Sequence, residues 1–461
     1  MKWLATIFSL ILLSGSGLAQ TKPQSTDVSK EVEVRTGHKL NPAAKATGAT
    51  LPEGVLLNDG MTEDEAVAIA LWNNGVLQAE LAVLGLARAD VIEAGQLRNP
   101  SLTVIFPFST RILEAVANWP FEALWQRPKR VAAATLELER LEETLVSRAL
   151  DLVRDVRLVY ADYMTAQMRA SAAAETVRER REIVTIVNAR FRAGDISELE
   201  TSASVVDARL AEEQVARFAQ DAALAKERLR GLLGFDDDGP AFDLIAPPTM
   251  STSDVNQLIG AKAASSATPS ATNSSETLNE LVKQALDARP ELKAAELAIE
   301  AAGARAKWER SRILAVSAIA KEYGHGAGGF EQGPGLQIEL PIFNRNKGGI
   351  SRAEAEIERA AKQLIAARQR VVAEVREAYT QLLQAREARE LWRARVLPPL
   401  EEDIRTAERV YRAGDVSYLF VLETTRRLTD ARLREADFQA ATARALAQLE
   451  RSIGRRLLAS R

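Results

Sequence analysis

Few residues in this chain could make or break covalent bonds. Its 461 residues include two histidines, His38 and His325, and no cysteine. A serine-histidine-aspartate relay, a thiolate nucleophile and a histidine- or thiolate-ligated metal therefore have almost nothing to draw on. Asp236-Asp237-Asp238 concentrates carboxylates, but the spaced ligands of a calcium loop do not surround it, so it reads as solvated loop. Gly324-His325-Gly326-Ala327-Gly328-Gly329 is rich in glycine like a phosphate cradle. It lacks the Lys-Ser/Thr pair and the helix start such a cradle needs, and reads as a hairpin loop with His325 a loop residue. These absences point away from an enzyme, a metal site or a cofactor. Lys+Arg 60 against Asp+Glu 63 leaves a net charge of -3, which gives no case for nucleic acid as a partner.

With so little chemistry, what remains is architecture. Met1-Lys2, the apolar run from Trp3 to Leu13, and Gly17-Leu18-Ala19 compose a secretory signal peptide over residues 1–19. No cysteine follows the run, so lipid attachment there is not expected. Beyond Ala19 no stretch approaches the ~20 apolar residues of a spanning helix. An exported chain of this kind can cross a membrane only as a closed β-barrel.

Residues 20–60 read as loosely ordered. A helix then opens at Thr62, with Glu65 at capping-box spacing, and stops at Asn99-Pro100. Ser101 to Phe108 leans toward a strand. Between Phe108 and Arg130 no clean second strand stands out, and Arg111 to Trp125 reads as helix just as readily. Trp119 and Trp125 suit either a membrane-interface belt or packing against a neighbouring helix, and Arg127-Pro128-Lys129-Arg130 either lipid phosphates or the solubilisation of a helix start. Val131 to Arg192 contains neither Pro nor Gly, which predicts a helix of roughly 90 Å at 1.5 Å per residue. A second helix returns from Ser197 to Leu233. After a linker at 235–275 the pattern restarts. Strands are predicted at 313–323 and 335–343, then a long helix at 349–412 containing Pro398-Pro399, where a kink or local unwinding is expected. Its return helix, 417–453, carries a seam of Leu433, Ala436, Ala440, Ala443 and Ala447.

The chain is thus one unit built twice, over 61–234 and 276–455, with a tail at 456–461. Its clearest marker is a duplicated turn, Phe191-Arg192-Ala193-Gly194-Asp195-Ile196-Ser197 and Tyr411-Arg412-Ala413-Gly414-Asp415-Val416-Ser417. Each copy is followed at equal distance by Leu233-Gly234 or Ile453-Gly454. Gly194 and Gly414 suit the left-handed end of a helix. Asp195 and Ser197, with Asp415 and Ser417, suit N-caps of the returning helices. A secreted, purely structural coiled-coil protein is the alternative, and the strands at 313–343 weigh against it because a rod needs no hairpin beyond its helices.

These turns belong to an ordered set. The set includes Leu340-Pro341-Ile342-Phe343-Asn344-Arg345-Asn346-Lys347-Gly348, Ala353-Glu354-Ala355-Glu356, Gln96-Leu97-Arg98-Asn99-Pro100-Ser101-Leu102 and the Leu397-Pro398 break. It resembles the TolC-like outer membrane factor family over about residues 61 to 455, nearest its heavy-metal and multidrug efflux members. The resemblance implies a mainly α fold with a small β part. Four strands per protomer would close a trimeric 12-stranded outer-membrane barrel, and long antiparallel helical hairpins would form a periplasmic α-barrel. It also implies a homotrimer in contact with outer membrane lipid, a periplasmic adaptor (membrane fusion) protein, and an inner-membrane pump of the RND type. The function implied is an exit duct passing substrates such as metal cations or drugs. Arg192, Gly194, Asp195 and Ser197, with Arg412, Gly414, Asp415 and Ser417, would be the adaptor-docking tips. The family narrows its pore past the second tip, at positions occupied here by Phe420 and Glu423. Glu423 would give an acidic ring or remain a solvated helix residue, and Phe420 would make an apolar constriction.

Overall fold

The computed structural model describes residues 28–41, 50–55, 57, 60–106, 113–236, 240–245, 271–324, 330–413 and 415–457. The signal peptide, most of the 235–275 linker and the loop at 325–329 lie outside these residues. Helix α1 is Val28–Thr36, α2 Glu63–Asn73 and α3 Gly75–Gly95. Strands β1 (Ser101–Ile105) and β2 (Leu113–Pro120) lead into α4, Ala123–Ala193, which α5 (Glu198–Leu233) follows back. The second repeat runs α6 (Ala271–Ala288), α7 (Pro290–Ser311), β3 (Ala315–Gly324), β4 (Phe330–Glu339) and α8 (Lys347–Leu391). A π-helical segment, Trp392–Val396, joins α8 to α9 (Leu397–Ala413), and α10 (Tyr418–Ile453) closes the chain. Among the described residues no single helix is long and apolar enough to cross a membrane.

The 71 residues of α4 extend about 105 Å. Its start lies earlier than the sequence predicts: Pro128 sits inside the second turn, where its missing N–H removes one i→i−4 bond without ending the helix. Arg127 and Arg130 have a local task. They donate to the last carbonyls of α3, Arg127 Nε to Gly95 O at 2.6 Å and Arg130 Nε to Ala94 O at 2.9 Å. The expected break at Pro398-Pro399 takes the form of the π segment just before them. There Trp392 anchors to the return helix, its Nε1 donating to Ala431 O at 3.0 Å and its ring lying 5.5 Å from that of Phe438. Of the return-helix seam, Ala436, Ala440 and Ala447 are buried, whereas Ala443 is exposed. Val28–Thr36, inside the segment expected to be loosely ordered, is helical and buries Val28 and Val32 in the first repeat's core.

Both repeats contribute two strands to one antiparallel sheet of order β1-β2-β3-β4. The missing second strand is Leu113–Pro120, which pairs with β1 on one side and β3 on the other. Its helix-forming residues hid a period of two, and two flanking ladders outweigh local propensity. Strand β4 starts earlier than predicted because Pro334 is tolerated inside it, an edge position in the chain. Register and alternation sort the side chains cleanly. Leu102, Ala117 and Ala320 share a row, as do Trp119, Ala318 and Leu336, all on one apolar face. Thr103, Val116 and Lys321, and Asn118 with Ser101, occupy the other face, along with Glu114, Gln337 and Glu339. Glu322 and its cross-strand partner Gln332 are the exceptions on the apolar face, hydrogen-bonded to each other at 3.2 Å near the end far from the helices. Trp119, on the apolar face near the helical end, stacks on Phe121 with centroids 6.3 Å apart. Trp125 instead reaches inward to Ser311 O at 3.4 Å. If lipid meets the apolar face, a sheet with free edges at β1 and β4 must close through other chains.

Where the hairpins meet the upper helices, the Leu-Gly and Ile-Gly pairs acquire a role. Gly234 (φ 71) seats on the α2–α3 break, its missing Cβ only 2.5 Å from Asn73 O, and Asn74 Nδ2 donates to Leu232 O at 3.0 Å. Gly454 (φ 81) seats in the same way on Ala288 and Arg289 at the α6–α7 break. Ion pairs weld the two repeats here: Arg157 of α4 with Glu450 of α10, and Arg451 of α10 with Asp151 of α4 and Glu291 of α7. Burial alone would raise the pKa of Glu291, but Arg451 and Arg289 override it and hold the carboxyl at about 2. The folded value lies below the ordinary 4.5, so this stabilisation is complete above about 4.5 and is lost as pH falls toward 2. Glu291→Gln should therefore lower the thermal midpoint of the detergent-solubilised protein at pH 7, with a smaller deficit at pH 3. Equal deficits at the two pH values would contradict it.

Candidate functional site

The duplicated turns come together in space. Ile183, Val187, Ile404, Tyr411, Val421 and Leu428 form an apolar cluster drawn from both hairpins. Ile196 of the first turn and Val416 of the second pack against it. Arg190 lies 5.1 Å above the Tyr411 ring, a further link between the hairpins. Both turns thus occupy one end of the molecule, separated from the sheet by the length of α4.

The first turn is built from local backbone chemistry. Gly194, at φ 82, ends α4 in the left-handed conformation, and the Asp195 N–H donates to Arg190 O at 3.0 Å. Ser197 caps α5, its side chain accepting the Glu200 N–H at 3.2 Å. Asp195 does not share that role. At the second turn Asp415 N–H donates to Val410 O at 3.2 Å, and Ser417 is the N-cap of α10 without a side-chain bond. Asp415 does not cap either; both aspartates precede the N-cap and project outward. Arg192, Asp195, Ser197, Asp415 and Ser417 are exposed. Arg412 falls in the last turn of α9, and Gly414 lies outside the described residues.

Phe420 is 54 % exposed, while its neighbour Val421 is fully buried in the tip cluster. Glu423 is also exposed, and its carboxylate accepts from Arg427 Nε at 2.9 Å. That surface pair blunts a bare acidic ring, although pairs of this kind contribute little energy and screen readily. Sequence reasoning missed Leu199 and Leu419, which hold the same place five residues past each glycine and are 79 % and 70 % exposed. It also missed Asp207, a buried carboxylate held between Arg180 of α4 and Arg426 of α10, the latter at 3.0 Å. The repeat itself was the signal for the leucines; no local signal marked Asp207. Among the described residues no cluster of three His, Cys, Asp or Glu is arranged to hold a metal ion.

Comparison with known proteins agrees with this architecture. A family model described as outer membrane efflux protein matches residues 67–235 and 281–455, each segment containing one turn and its closing glycine. The cobalt-zinc-cadmium resistance protein CzcC of Cupriavidus metallidurans is 26 % identical over 401 residues, covering 86 % of this chain and 90 % of that protein. Among solved structures, a membrane protein from Pseudomonas aeruginosa superposes with a TM-score of 0.69 at 20 % identity, covering 91 % of this chain and 96 % of that one. CusC gives 0.67 at 19 % identity, covering 90 % and 98 %. The outer membrane protein VceC from Vibrio cholerae gives 0.68 at 18 %, covering 86 % and 97 %. These structural likenesses speak for the fold. With the family model matching both repeats of a chain that sets a two-faced, edge-open sheet above long helical hairpins, the protein belongs to the outer membrane efflux protein family.

Proposed function

We propose that this outer membrane channel is the exit duct of a tripartite system expelling metal cations, coupled through a periplasmic adaptor to an inner-membrane pump of the RND type. The supporting observation is the shared tip: two near-identical turns packed on one apolar cluster at the end away from the sheet. A trimer would present six such turns, a ring suited to an adaptor. Arg192, Asp195, Ser197, Asp415 and Ser417 would face that partner, with Leu199 and Leu419 supplying apolar contact. Phe420 and the Glu423–Arg427 pair, just past the second turn, would narrow the entrance. Metal cargo is favoured over drugs by the likeness to CzcC, a cobalt-zinc-cadmium resistance protein.

The chain has no cysteine, so introduced thiols report without background. Asp195→Cys and Asp415→Cys should each cross-link to the adaptor in intact cells. Phe420→Ala should raise single-channel conductance in planar bilayers several-fold, with a smaller change for Glu423→Gln. Cells carrying the complete system should gain tolerance to zinc, cobalt or cadmium. A gain confined to drugs would overturn the cargo assignment, and absence of cross-links at both turns would overturn the docking assignment.

A further inference from the structure

The two repeats do not close in the same way. In the first, Asn74 is the N-cap of α3, and its Nδ2 donates to Leu232 O at 3.0 Å. The end of α5 is thus capped from within its own repeat. The counterpart of Asn74, the N-cap of α7, is Arg289, and its guanidinium turns elsewhere. Nε and Nη2 donate to the Glu291 carboxylate at 3.2 and 3.1 Å, and Nη1 donates to Glu374. The donor at the second closure comes instead from outside the repeat. Arg35 of α1 donates through Nη1 to Ala288 O, the last carbonyl of α6, and to Gly454 O at 3.1 Å, just past the end of α10.

Arg35 is held in place for this contact. Glu31, one turn earlier on α1, takes its Nε at 2.8 Å and its Nη2 at 2.7 Å, which leaves Nη1 to the two carbonyls. The Arg35 side chain is only 14 % exposed, so these charge-assisted bonds are little weakened by water. A cation beside the carboxyl ends of two helices also meets the negative end of both dipoles. The rest of the segment belongs to the first repeat, where Val28, Val32 and Leu40 are buried in the core with Ala66, Val67 and Leu71. The Arg456 N–H donates to Arg35 O at 3.3 Å, and the Arg456 guanidinium grips both oxygens of Asp64 in the first turn of α2. The stretch after α10 is therefore held by α1 and α2 together.

We infer that the junction of α6 and α10 is a docking site for the chain's own N-terminal segment, residues 28–40, with Arg35 as its anchor. The apolar side of α1 stays with the first repeat while its guanidinium caps the second, so the segment clasps the two repeats together. Arg35 and Gly454 lie 419 positions apart, so the clasp forms only after nearly the whole chain is in place. It does not depend on which cargo the duct carries or which adaptor it meets.

Hydrogen exchange of the detergent-solubilised protein, read by mass spectrometry, tests this. Arg35→Met removes the donors and keeps a stem of similar length. It should speed exchange in peptides spanning 283–292 and 446–457 by roughly ten- to hundredfold, the change expected when part-buried charged hydrogen bonds are lost. Peptides spanning 68–78 and 226–236, at the self-capped first closure, should keep their protection. Val34→Ala, on the same helix at a position 82 % exposed, should leave both closures as they are. The chain has no cysteine, and Val32 is fully buried, so a Val32→Cys thiol should resist maleimide while Arg35 is present and react once Arg35→Met is added. Unchanged exchange at the second closure, or equal acceleration at both, would overturn the anchoring role of Arg35. Rapid labelling of the Val32→Cys thiol with Arg35 intact would overturn the docking of the segment itself.

Discussion

Gly234→Ala is expected to destabilise the protomer by roughly 2–5 kcal/mol and to abolish the trimer band in unheated SDS gels. Two effects add. At φ 71 any L side chain is strained, and the new Cβ would lie 2.5 Å from Asn73 O and 2.8 Å from Asn73 C. Those atoms are backbone at the α2–α3 break and cannot rotate away. Gly194 is the control. Its φ is 82, but an added Cβ meets nothing within 4 Å, so Gly194→Ala should cost only the conformational strain, about 1 kcal/mol. Gly454→Ala should fall between them, since its nearest neighbour is the flexible Arg289 Cγ at 3.3 Å. Denaturant titrations of the three variants in detergent would rank them. Equal losses for Gly234→Ala and Gly194→Ala would contradict the docking of the closing glycine on the helix break.

The second large effect concerns the sheet. Ala320 pairs with Ala117 and Pro334 near the middle of β3, on the apolar face, whereas Ile319 pairs with Asn118 and Gly335 on the polar face. If the apolar face meets lipid, Ala320→Arg puts a cation near the bilayer midplane at a cost of about 2–4 kcal/mol per protomer. Three such charges per trimer should remove the protein from the outer membrane fraction. On the same premise Ile319→Arg, one residue away and on the opposite face, would point into the lumen and should still insert. Lys321, already on that face at nearly the same depth, is the natural precedent. Membrane fractionation with heated and unheated gels distinguishes the two. Loss of both variants, or survival of both, would reject the face assignment.

Much of this architecture was legible along the chain because its signals are local. Gly194 and Ser197 end and start helices through bonds to residues three to five positions away, so the turn is readable without the rest of the fold. The capping box at Thr62 and Glu65 forms as its spacing predicts, Thr62 N–H donating to Glu65 Oε2 at 2.8 Å. The disturbance at Pro398 follows from a missing donor. Strand β2 was not legible, since Arg111 to Trp125 is rich in helix formers and becomes a strand only between two partners. Nor could the sequence foresee that Arg127 and Arg130 would cap α3, that Asp195 would leave capping to Ser197 while neither Asp415 nor Ser417 caps α10 through its side chain, or that Glu423 would be paired to Arg427.

By itself the sequence determined the duplication, the two turns and the two-residue period of β3, whereas the helix opening at Thr62 proved to be two, α2 and α3, broken at Asn74. The first three are set by periodicity or by contacts within a few residues. Only the tertiary structure decided that both turns share one apolar tip, that Gly234 and Gly454 seat on the helix breaks, and that Arg157 and Arg451 join the repeats. Those contacts bring together residues some 150 to 300 positions apart. Their partners are chosen by packing and by the need to satisfy buried charge, and neither leaves a mark on the local pattern of residues.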